Sequence, residues 1–183
     1  QMIAKGLDFP LVSLVGVINA DTILNFPDFR SSERTYQMLS QVSGRAGRGN
    51  IKGDVIIQTF NPDNYSIELS KTHNYVNFFN KEIKIRKDLK YPPYYFIGLI
   101  KIGSKDYNLS LSESKKIANY IKENISEDMI LLGPSVSGVS RVNKIYYFQI
   151  IIKFRNKEKM REILNNVSDL ENNNKVSISI DIN

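Results

Sequence analysis

The 183 residues include no cysteine and no tryptophan, and only one histidine. Without cysteine there is no disulfide and no cysteine-ligated zinc. His73 has no ligating neighbours in the sequence and reads as an ordinary residue at a helix start. No apolar run approaches the ~18 residues that a membrane-spanning helix needs, and no signal-peptide pattern is present. The phosphate-cradling pattern Gly-x-x-x-x-Gly-Lys-Ser/Thr is missing, and so is any acidic box that would hold magnesium. Negative charge is scarce as well. Against 25 Lys and Arg stand 19 Asp and Glu, a formal charge of +6, which favours a polyanionic partner.

Hydrophobic residues make up 42% of the chain, enough to build a core, and the length suits one large or two small domains. The most informative run is Gln41-Val42-Ser43-Gly44-Arg45-Ala46-Gly47-Arg48. Two arginines three apart among small residues offer planar, permanently charged forks that suit phosphate oxygens. In NTP-hydrolysing machines such arginines contribute roughly 10³–10⁵ in rate. The plain alternative is a basic helix end stopped by glycine. Upstream, Lys5-Gly6-Leu7-Asp8 brings together a cation, a backbone that approaches phosphate closely and a carboxylate. An apolar run, residues 11–18, follows and predicts a strand buried on both faces.

These two runs resemble motifs V and VI of superfamily 2 helicases, in the second RecA-like lobe. The surrounding words are similar to those of the primosomal replication-restart helicases: Gln1-Met2-Ile3-Ala4-Lys5-Gly6 with Asp8-Phe9-Pro10, Asn19-Ala20-Asp21, Pro27-Asp28-Phe29-Arg30, Ser32-Glu33-Arg34 and Asp54-Val55-Ile56-Ile57-Gln58-Thr59. Tyr91-Pro92-Pro93, Leu132-Gly133-Pro134 and Gln149 within an apolar strand agree, so the resemblance spans essentially the whole chain. It implies an ATP-driven 3′-to-5′ DNA helicase that recognises abandoned forks and promotes primosome assembly in the cytoplasm. Arg45 and Arg48 would reach the γ-phosphate of ATP, and Gln41 would help position the nucleotide. Gly6 and Asp8 would couple the phosphate site to lobe closure, with Lys5 near the phosphate or the DNA backbone. The family carries its Walker loop, its magnesium site and its zinc cysteines ahead of this segment. The chain therefore reads as a C-terminal fragment and is expected to lack ATPase activity alone.

The resemblance also implies forked and single-stranded DNA, primosome proteins and the acidic tail of the single-stranded DNA-binding protein as partners. Two positions depart from it. Leu7 stands where members often have His, and Ile145 where members often have the arginine that works with the Gln149 equivalent on that tail. Arg141 or Lys144 could substitute, because a carboxylate needs a cation but not one fixed backbone position. The alternative is a loop arginine exposed to solvent.

Along the chain, Ser32 is expected to cap a helix through Glu33, Tyr36, Leu39 and Val42, ended by Gly44, Gly47 and Gly49. A second strand is expected over 55–60, stopped by Asn61-Pro62. This strand–helix–strand piece (residues 1–62) would be part of a RecA-like lobe, with edges and apolar faces left uncovered. Residues 63–93 read as a helical connector, broken at Tyr91-Pro92-Pro93. Its cations, Lys84 and Lys87 among them, form either a DNA-facing surface or a solvated face.

Residues 94–183 are expected to fold as βαββαβ, a ferredoxin-like α+β domain. A flexible Ser/Gly-rich loop is expected after Gly133-Pro134. The sheet's helix-free face would carry Tyr147, Gln149 and Lys153. That face is expected to dock on the helicase core, or else to stack bases.

Overall fold

The computed structural model describes residues 12–44, 46, 53–169 and 175–182. It is a mixed α/β chain with two compact units, one reaching to Ile85 and one starting at Arg86.

In the first unit, β1 (Leu14–Val17) pairs in parallel with β2 (Asp54–Ile57), in the register Val15↔Val55 and Val17↔Ile57. Between them lie α1 (Asp21–Leu24) and α2 (Ser31–Ser43). The core gathers Ala20, Leu39 and Ile67, with Val17, Leu24, Met38 and Ile57 packed around them. Ile67 comes from α3 (Tyr65–Lys71), and the Phe78 ring of α4 (Tyr75–Asp88) stacks on Tyr36 at 4.2 Å. The expected burial on both faces does not hold: Leu14, Ile18, Ile56 and Phe60 are exposed. A two-stranded ribbon with its core on one side leaves the other side bare.

One local expectation is corrected. Ser32 is not the cap of α2: Arg30 occupies that position and its side chain makes no capping bond. Instead Ser31 Oγ donates to the Phe26 carbonyl, tying the helix start to the preceding turn. The helical connector is made of two helices, α3 and α4. His73 adopts φ 51° between them, a left-handed conformation that ends a helix.

In the second unit, β3 (Phe96–Ser104), α5 (Tyr107–Asn124), β4 (Ile130–Val142), β5 (Ile145–Phe154), α6 (Lys157–Asp169) and β6 (Val176–Ile182) follow in the order βαββαβ. The sheet runs β4-β5-β3-β6, and every neighbouring pair is antiparallel. Alternation drives the packing. Ile100, Ile102, Ile150, Ile152 and Phe154 point into a core with Ile117 and Ile121 of α5 and Met160, Ile163 and Val167 of α6. Asp106 caps α5 by accepting from the Asn108 and Leu109 amides. Ser110 then pins this helix to the sheet, donating to the Ile102 and Tyr146 carbonyls at 3.0 and 3.1 Å.

The Ser/Gly-rich segment after Gly133-Pro134 is not a loop. It continues β4 as a strand with two register shifts, one between Leu132 and Ser135 and one between Val136 and Arg141. Among the described residues no helix is long and apolar enough to cross a membrane.

Candidate functional site

The face of the second sheet away from α5 and α6 is built from the alternate residues of each strand. Register places Ser135, Gln149, Lys101 and Ser179 side by side across β4, β5, β3 and β6. Lys101 is exposed, and among the described residues it is in no ion pair. Gln149, half-buried, offers both a carbonyl and an amide beside it.

One row away, Gly103 faces Tyr147, and a Cβ on that glycine would come within 2.6 Å of the Tyr147 ring. The glycine therefore lets the ring lie flat on the sheet. On the other side is an aliphatic row of Leu132, Ile151 and Leu99, ending in Asp181 on β6. A cation and an amide thus sit between an aromatic ring and an aliphatic strip. This is suited to a carboxylate attached to an apolar group.

Farther along β5, Lys153 closes this face. Its ammonium donates to the Leu89 carbonyl at 2.8 Å and lies 3.6 Å from the centre of the Tyr91 ring. Burial pushes its pKa down, and the nearby Lys90 charge adds to the shift.

Sequence reasoning proposed Arg141 and Lys144 as the cations beside Gln149, but the fold separates them. Arg141 pairs with Tyr146 in register, and its guanidinium lies 4.8 Å from the centre of that ring. Tyr146 belongs to the helix-side register, where the Tyr107 ring of α5 meets it edge-on at 5.6 Å. Arg141 and Gln149 therefore sit on opposite faces. Lys144 is exposed in the two-residue hairpin turn, with φ 66° after Asn143 at 50°, as a type I′ turn requires. Ile145 shares the Gln149 face. The cation that does stand beside Gln149, Lys101, comes from another strand, and its only sequence signal was a polar residue breaking the apolar pattern of β3.

Comparison with known proteins matches residues 87–183 to the family model described as the primosomal protein N C-terminal domain. The chain belongs to that family. It is similar to replication restart protein PriA of Bacillus subtilis, 45% identical across 100% of this chain and 23% of the relative. The PriA of Synechocystis is 41% identical over 84% of this chain and 18% of the relative. That of Haemophilus influenzae is 30% identical over 100% of this chain and 25% of the relative. The chain thus spans about a quarter or less of these relatives.

The family domain contains Lys87, Arg141, Lys144 and Gln149, whereas Gln41 and Lys84 precede it. Lys84 and Lys87 are both exposed on α4. Gln41 is exposed in the last turn of α2. Lys5, Gly6, Asp8, Arg45 and Arg48 lie outside the described residues. Among the described residues no group of three His, Asp or Glu side chains comes together.

Proposed function

We propose that the chain acts as the C-terminal region of an ATP-dependent 3′-to-5′ DNA helicase that restarts stalled replication forks and promotes primosome assembly. The observation that carries this reading is the family match over 87–183 together with 45% identity to a PriA along the whole chain. The parallel β1–β2 pair with α2 between its strands supports a RecA-like remnant. The βαββαβ order with sheet order β4-β5-β3-β6 supports a ferredoxin-like domain after it.

In this reading Arg45 and Arg48 stabilise charge on the γ-phosphate of ATP, and Gln41 helps position the nucleotide. Gly6 and Asp8 transmit the state of the phosphate site, and Lys5, Lys84 and Lys87 approach the DNA backbone. Fused to a first helicase lobe carrying a Walker loop, the chain should give DNA-stimulated ATP hydrolysis. Arg48→Ala should lower the turnover by roughly 10³-fold or more while nucleotide binding persists. Full turnover in that variant overturns the arginine assignment.

The helix-free sheet face takes the acidic tail of the single-stranded DNA-binding protein, with Lys101 and Gln149 as its polar contacts. The cation expected at position 145 is then supplied by the neighbouring strand. A labelled acidic peptide ending in a free carboxylate should bind Lys101→Gln about 10-fold more weakly than the parent chain, as loss of a charged hydrogen bond predicts. Equal affinity in the two would remove Lys101 from the site.

A second reading is a stand-alone binding module with no motor role, favoured by the self-contained core of the second unit. The fusion experiment separates the two, because a module gains no ATPase from the added lobe.

A further inference from the structure

Where α4 ends and the second sheet begins, cations settle on aromatic rings instead of carboxylates. Lys90 Nζ lies 5.7 Å and the Arg155 guanidinium carbon 4.6 Å from the centre of the Tyr95 ring. Lys157 Nζ lies 4.1 Å from the centre of Phe96. Such contacts fix a cation in place without neutralising it. Among the described residues none of the three is in an ion pair. Asp128 is the carboxylate whose charge feels Arg155, and it feels Lys159 as well.

The arrangement has an electrostatic cost. Lys90 is near enough to Lys153 to disfavour its charge, and Lys157 opens α6, where the helix's positive end opposes a cation. Glu158 offsets part of that. Like charges held at fixed points at such a cost are stabilised by an external anion.

We infer that this cation-on-aromatic edge is a track for a phosphodiester backbone, contacted by Lys90, Arg155 and Lys157 and continued by Lys87 on α4. The inference rests on the DNA-binding reading above and goes beyond it by locating the contact. A single carboxylate is matched by one cation, whereas three cations, two on the Tyr95 ring and one on Phe96, suit a repeated charge, and the guanidinium fork suits phosphate. The track is also distinct from the Lys101–Gln149 row. Arg155 follows Gln149 by six residues, ~20 Å along extended chain.

The test is fluorescence anisotropy of the full chain with a labelled single-stranded oligonucleotide across a salt series. Each lost phosphate contact should reduce the log–log salt slope by ~0.7. The double variant Arg155→Gln/Lys157→Gln should therefore bind more weakly, with a slope about 1.4 smaller. Lys115→Gln, exposed on α5, should keep the parental slope.

A parental slope in the double variant, or an equal loss in the Lys115 control, overturns the inference. Should the double variant melt early, Lys157→Gln alone decides by the same criterion, with a slope change of about 0.7. No oligonucleotide binding by the parent chain overturns the DNA reading itself. Displacement of the oligonucleotide by polyglutamate as readily as by an unlabelled strand overturns the phosphodiester in favour of an acidic protein.

Discussion

Asp21 carries more of the first unit's architecture than its neighbours in sequence suggest. Its carboxylate accepts from Asn61 Nδ2 at 2.7 Å, the Phe60 amide at 2.9 Å and Thr59 Oγ1 at 3.1 Å. It thereby ties the start of α1 to the chain leaving β2. The Asn61 and Phe60 bonds hold its pKa below the ordinary carboxylate value. A lowered folded-state pKa contributes stability above the unfolded value, and that stability is lost as pH falls through the folded value. Thermal melts should therefore show the first unit weakening below about pH 4. Asp21→Asn should melt earlier at neutral pH and have a shallower acid limb; an identical acid limb would mean that Asp21 is not its source. Asn19-Ala20-Asp21 stood out in the sequence as a family word, but its bonding partners are some 40 residues away and had no local signal. Lys101 is the same case. One-dimensional pattern marks a polar residue in a strand, and only strand pairing tells which residue it meets.

At the scale of elements, periodicity was a sound guide wherever a single face is buried. The alternation in β5 and β6 and the apolar spacing of α5 and α6 all follow from one core. It failed in β4, whose Ser/Gly-rich half has weak strand propensity but is held by pairing with β5. Gly133 makes this possible. It sits at φ +101° against β5, where a Cβ would lie 2.8 Å from the Gln149 carbonyl oxygen and 3.1 Å from the Ser135 nitrogen. Backbone atoms cannot swing aside as a side-chain end does. Gly133→Ala should cost about 1–3 kcal/mol in urea unfolding, and an unchanged midpoint would show that the shifted strand relaxes freely. The connector is helical, as its pattern suggests, but the break within it has no sequence signal. A one-residue left-handed step at His73 leaves no mark on periodicity.

For the molecule as a whole, the two units differ in how much they bury for themselves. The second closes a core between a four-stranded sheet and two helices. The first buries a small cluster and leaves Ile18 and Phe60 more than 80% exposed. The sequence by itself determined the family, the cation excess and the order of strands and helices. Those properties are written in local words, in charge and in short-range periodicity. The tertiary structure alone decided which side chains meet. It set Arg141 and Gln149 on opposite faces, brought Lys101 beside Gln149, and laid the cations of 90, 155 and 157 on rings from a different stretch of chain or the next element. The physical reason is that a strand's alternation fixes two faces without saying which strand lies alongside, and that neighbour determines the chemistry of the site.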